Sequence, residues 1–62
     1  MNNKEISVTV DAIKLLKRAV SIIGEIAKIS VFHNDSKITG ICLAGLTELE
    51  NGIDEINLKL LQ

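Results

Sequence analysis

The segment 10–29 carries aliphatic side chains over more of a helical circumference than one neighbouring helix can cover. Its apolar residues recur every three or four positions, which predicts an α-helix. At 100° per residue they fill an arc of roughly 200°, whereas packing against one partner needs about 100°. The arc divides into two heptad-like rows, each able to meet a different neighbour. The rows are Ile13, Leu16, Val20, Ile23 and Ala27, and Leu15, Ala19, Ile22, Ile26 and Ile29.

A second helical pattern supplies only one such neighbour within the chain. From Ile38 onwards its apolar row advances by fours and threes, the spacing of a helix-bundle seam. Because the connection between the two helices is short, they must be antiparallel neighbours. The sequence therefore predicts an all-α antiparallel helical hairpin. The seam row is Ile38, Cys42, Leu46, Leu49, Ile53, Ile56 and Leu60.

The ends of the two helices are marked by polar residues. Asn34 suits a left-handed helix end, and Asp35 or Ser36 suits the start of the next helix. Before the first helix, the β-branched alternation of 6–10 favours a short strand, whereas Thr9 suits a helix start. We therefore expect a flexible or short extended arm over 1–9 and a hairpin region over 10–62, made of a helix 10–31, a turn 32–36 and a helix 37–61.

A chain of 62 residues with 47% hydrophobic residues needs additional stabilisation to fold. A single cysteine excludes a disulfide within the chain, and His33 and Cys42 are too few to hold structural zinc. Oligomerisation remains, so we predict a homo-oligomer, a dimeric assembly like a four-helix bundle. The predicted oligomer interface comprises Ile13, Leu15, Leu16, Ala19, Val20, Ile22, Ile23, Ile26, Cys42, Leu46, Leu49, Ile53, Ile56 and Leu60.

Some residues of the second helix fall outside its seam. Leu43 and Leu58 lie off the main apolar face and indicate an exposed apolar surface. Gly45 and Gly52 lie seven residues apart on the edge of the apolar arc, although glycine disfavours a helix. They either let a neighbouring helix approach closely or open a groove for a ligand or a partner. These four residues are the candidate partner or ligand surface.

The sequence contains no catalytic, cofactor-binding or metal-binding pattern. His33 with Asp35 is best interpreted as part of a solvated turn, and Cys42 on the apolar face as a small core residue. We therefore expect a non-enzymatic interaction or regulatory protein without a cofactor, which binds a macromolecular partner, most simply a protein, or a ligand between subunits. Without a signal-like or bilayer-spanning stretch, a cytoplasmic location is expected. Short chains of this kind are frequent in phages and plasmids, which makes such an origin an expectation.

Nucleic-acid binding is the alternative function. Lys14, Lys17 and Arg18 form a basic stripe, best interpreted as a solvated face near the acidic segment 50–55, but also able to contact an RNA backbone. A net charge of -1 gives no support to a generic nucleic-acid binder. In length and topology the hairpin resembles the plasmid-encoded Rop family, whose hairpins dimerise into a four-helix bundle that binds paired RNA loops. The resemblance is architectural, so no residue role follows from it.

A ribbon-helix-helix DNA-binding dimer is a further alternative. The segment 6–11 looks like the strand that opens this class, in which strands of two chains pair and enter the major groove. The helices are long for that class, and the turn comes late in the chain. This alternative depends on a strand near the N-terminus.

Overall fold

Two long helices account for nearly all of the chain in the computed structural model, which describes residues 2–61. Helix α1 comprises Asn3–Phe32, and helix α2 comprises Ser36–Leu61. They pack side by side as a hairpin with extents of 47 × 15 × 10 Å. The predicted all-α hairpin is confirmed. Residues 1 and 62, at the outer ends of the predicted arm and hairpin region, lie outside the described residues.

Helix α1 begins at Asn3 rather than near residue 10, so residues 3–9 are helical and not the flexible or short extended arm that was predicted. Asn2 caps the helix: its Oδ1 accepts the Glu5 backbone N–H at 2.8 Å, and its Nδ2 donates to Glu5 Oε1 at 3.3 Å. The Thr9 hydroxyl donates to the Glu5 carbonyl at 2.7 Å. The Asn2 side chain thus satisfies one backbone donor at the helix start, and the stabilisation from this cap outweighs the β-branched preference of the segment 6–10.

The turn occupies residues 33–35 and ends both helices with local hydrogen bonds. Asn34 has the left-handed conformation expected of it, with φ of 56°. The Asp35 backbone N–H donates to the Ser30 carbonyl at 2.8 Å. Asp35 then starts α2, because its Oδ1 accepts the Ile38 backbone N–H at 3.0 Å. The expected roles of Asn34 and Asp35 are confirmed.

A pair of hydroxyl groups joins the helices next to the turn. Ser30 Oγ and Thr39 Oγ1 lie 2.6 Å apart. Ser30 Oγ also lies 2.8 Å from the backbone carbonyl oxygen of Ala27, and Thr39 Oγ1 lies 2.8 Å from that of Asp35. Ser30 is buried, and this network satisfies its hydroxyl. The contact sets Ser30 level with Thr39 and so fixes the register of the hairpin.

The apolar seam between the helices is thin. Within residues 2–61 only Ile13, Cys42 and Ile53 are buried apolar residues. The rest of the first α1 row and of the α2 seam row is half-buried apart from Ile38, which is 43% exposed. The first row of α1 therefore packs on α2, which is one of the two neighbours predicted for α1.

Candidate self-association surface

The second row of α1 has no cover within the hairpin. Its four large members are between 45% and 62% exposed, and only Ala19 among them is half-buried. A single exposed aliphatic residue is ordinary, but four at heptad spacing on one helix form a continuous stripe. The large members are Leu15, Ile22, Ile26 and Ile29.

Helix α2 extends this stripe across the hairpin. Ile38 lines one shallow groove together with Ile26 and Ile29. Ile41, which is 64% exposed, follows Ile38 by three residues and therefore lies on the same side of α2. The two helices thus share one apolar surface, called here the lateral face: Leu15, Ala19, Ile22, Ile26, Ile29, Ile38 and Ile41.

The total exposed area agrees with an uncovered face. A compact monomer of 6.7 kDa is expected to expose about 3,900 Å². This chain exposes 4930 Å², about 1,000 Å² more. The excess is comparable to the roughly 800 Å² that each partner buries in a standard protein interface.

The two glycines of the candidate partner surface border the lateral face without being required by the hairpin. A Cβ added at Gly45 meets only Ile23 Cδ1, at 3.9 Å, and one added at Gly52 meets nothing within 4 Å. Seven residues apart, both point to the same side of α2. Close approach of α1 and α2 therefore does not explain either glycine.

The opposite side of the hairpin is polar. Lys17, Glu50 and Asp54 surround the seam residues Val20 and Ile53 in one shallow depression. The basic residue of α1 thus lies beside the acidic segment of α2, as the antiparallel register predicts. No ion pair joins the helices among residues 2–61, and charge contributes to their register only at longer range.

The three residues proposed to contact nucleic acid lie together. Lys14, Lys17 and Arg18 line one open depression with Ser21 on the exposed side of α1. All four side chains are exposed. The patch contains three positive charges, and all three also line neighbouring depressions that contain acidic residues, Asp11 and Asp54 among them.

The remaining candidate partner residues lie elsewhere. Leu43 and Leu58 are exposed, but each is displaced by about 140–160° around α2 from Gly45. Leu43 lines a groove of about 400 Å³ near the turn, with Val31 and Gly40 among its walls. The four residues predicted as one surface therefore occupy at least two separate parts of the hairpin.

The predicted oligomer interface divides in a similar way. Leu15, Ile22 and Ile26 lie on the lateral face with Ala19 between them. The other ten residues form the contact between α1 and α2 of one chain: Ile13, Leu16, Val20, Ile23, Cys42, Leu46, Leu49, Ile53, Ile56 and Leu60. Three members of the lateral face, Ile29, Ile38 and Ile41, are not among the predicted interface residues, although the spacing of Ile41 from Ile38 and Gly45 placed it beside them.

The polar residues singled out for chemistry do not form one cluster, although His33 and Asp35 line the same shallow groove at the turn. Cys42 is a buried free thiol in the seam. His33 is exposed at the turn, with its ring edge-on to Phe32 at a centroid distance of 5.3 Å. Across residues 2–61, no three side chains of His, Cys, Asp or Glu form a group that could hold a metal ion.

Neither of the two described helices has the length and apolarity required to cross a bilayer. Searches against protein-family models, curated proteins and solved structures found no match to this chain.

Proposed function

We propose that this protein is a non-enzymatic interaction protein that works as a homodimer, with the lateral faces of two hairpins packed together as a four-helix bundle. The observation that carries the proposal is the stripe of four large aliphatic side chains on α1, each between 45% and 62% exposed. A two-fold dimer covers the same surface on both copies with one interface. An apolar stripe of this size otherwise favours non-specific association.

The thin seam supports an obligate dimer. With three buried apolar residues among residues 2–61, one hairpin has little core of its own. Small scaffolds without a disulfide or a metal commonly gain the missing burial through oligomerisation. Folding and assembly of this chain are therefore coupled, and the isolated hairpin is marginal.

Such a dimer presents its outer surfaces in duplicate to a larger partner. Those surfaces include the groove beside Leu43 and the exposed Leu58, which the lateral face does not contain. Binding and blocking or bridging a second protein is the activity that this arrangement favours. The proposal includes a cytoplasmic location, with which a buried free thiol at Cys42 is compatible.

The mass of the protein in solution tests this proposal. Sedimentation equilibrium at micromolar concentration is expected to give twice the chain mass, together with high helix content by circular dichroism. A helical monomer that stays folded across the concentration range contradicts the proposal.

Nucleic-acid binding stays as a second candidate because Lys14, Lys17 and Arg18 occupy one exposed patch. The ribbon-helix-helix form of this candidate has lost its basis, since α1 is helical over the segment 6–11 on which the strand depended. The RNA-binding form predicts an affinity that falls steeply with salt and that is reduced when the three basic residues are changed to glutamine. A gel-shift series with RNA and DNA that shows no binding at low salt excludes it.

A further inference from the structure

We propose that the second copy packs with its α1 antiparallel to α1, in the register that sets Arg18 beside Glu25 of the partner subunit. This inference rests on the proposed homodimer and specifies its geometry. It follows from three features of the chain: the spacing of the apolar stripe, a row of charges along its outer edge, and the position of two glycines on α2.

The apolar stripe of α1 has the spacing of a coiled-coil seam. The spacing between its successive members alternates between four and three residues, so the apolar rows of two antiparallel α1 helices interlock. In the proposed register Leu15 lies level with the partner subunit's Ile26, and Ala19 lies level with the partner subunit's Ile22. A small residue then faces a large one at the centre, and larger aliphatic pairs lie on either side.

A row of charges flanks the stripe on the side away from α2. Lys4, Asp11, Arg18 and Glu25 follow each other at intervals of seven residues, alternate in sign and are all exposed. Residues at this heptad position meet the same position of an antiparallel partner across the edge of the interface. The proposed register pairs Arg18 with Glu25 of the partner subunit, and the two-fold axis repeats the pair.

The alternation also disfavours the neighbouring arrangements. A slide of one heptad in either direction sets Arg18 against Arg18 of the partner subunit, or Glu25 against Glu25 of the partner subunit. Like charges at facing positions are repulsive. In a parallel pair the charged row faces the positions of Leu16 and Ile23, which are half-buried against α2 and carry no charge. Glu25 also forms an ion pair with Lys28 of its own chain, at 3.2 Å. Among these pairings of two α1 helices, only the antiparallel pair in the proposed register gives the charged row a complementary partner on the second copy.

The same register brings the unexplained glycines together. Gly45 lies beside Ile23 of its own chain, and Lys17 lies beside the segment 50–54 that contains Gly52. When α1 pairs with its copy as proposed, Ile23 lies at about the same height along the helix axis as Lys17 of the partner subunit. Gly45 therefore reaches the level of Gly52 of the partner subunit across the contact between the two α2 helices. Two glycines facing each other let those helices approach closely, a role that neither has within one hairpin.

Two single charge reversals and their mixture test the pairing. R18E and E25R each place like charges together twice in a homodimer, and each is expected to dimerise about tenfold more weakly than the parent. Mixing the two variants restores both attractive pairs in a heterodimer, which is expected to regain the parental affinity. D11K is the control, since Asp11 has no charged partner in this register, and its dimer affinity is expected to change less than twofold.

The outcomes separate this inference from the proposed homodimer. If the parent is a dimer but the mixture is no tighter than the single variants, or if D11K weakens the dimer as much as R18E does, the register is wrong and the homodimer stands. If the parent is a folded monomer, both proposals fail. All variants change exposed residues, and circular dichroism of each one checks that the helices are retained.

Discussion

Truncation of Ile22 is the substitution that tests most directly how much the lateral face contributes to the stability of the dimer. The side chain is 62% exposed in the single chain and lies at the centre of the lateral face. Isoleucine to alanine removes three carbons, worth about 2.4 kcal/mol when fully buried, so covering the exposed fraction contributes about 1.5 kcal/mol per copy. Both copies lose it, and Ile22→Ala is expected to cost the dimer about 3 kcal/mol, or roughly 100-fold in Kd.

Leu58→Ala is the matched control for this experiment. Leu58 is 60% exposed, also loses three carbons on truncation, and points away from the lateral face. Sedimentation velocity over a dilution series gives Kd for both variants, and the control is expected to stay within about twofold of the parent. Equal losses in the two variants, or no loss for Ile22→Ala, refute the assignment of the lateral face as the dimer interface.

Four further substitutions test the glycines, the turn and the hydroxyl pair beside it. Gly52→Leu is expected to weaken the dimer measurably by sedimentation, although leucine favours the helix more than glycine does. A tighter Gly52→Leu dimer contradicts the proposed contact between the two α2 helices. Gly40→Ala adds a Cβ that meets nothing within 4 Å, and it is expected to add up to about 1 kcal/mol of stability. Asp35→Ala removes the cap of α2 and is expected to cost about 1 kcal/mol, seen as a Tm lower by about 4–8 °C, and an unchanged Tm argues against the cap. Ser30→Ala breaks the hydroxyl pair between the helices and is expected to lower the free energy of unfolding, measured by urea denaturation, by about 1 kcal/mol. An unchanged free energy of unfolding shows that the pair is dispensable.

The sequence was sufficient to predict the hairpin because its apolar residues follow one period over two long segments. It also separated the two rows of α1, and the structure shows one row against α2 and the other exposed. The start of α1 differs from the prediction, because the cap formed by Asn2 and Glu5 outweighs the β-branched propensity of the segment 6–10. Capping contributes about 1 kcal/mol, enough to reverse a weak local preference.

The candidate surface was harder to define from sequence than the fold. Periodicity separates Gly45 from Leu43 around α2, but only the structure shows that Gly45 lies beside Ile23 and that Leu43 lines a groove near the turn. Helical spacing alone also could not show that a Cβ added at Gly52 meets nothing within 4 Å. Such features depend on how two helices rotate against each other, which a one-dimensional pattern does not contain.

Contacts between two copies of the lateral face are the most direct test of the account. In a sample that mixes isotope-labelled and unlabelled chains, filtered nuclear Overhauser spectra report only contacts between subunits. The account predicts such contacts for the methyl groups of Leu15, Ile22 and Ile26, with Leu15 close to Ile26 of the partner subunit. Contacts confined to Leu43 and Leu58, or none from a folded protein, contradict it.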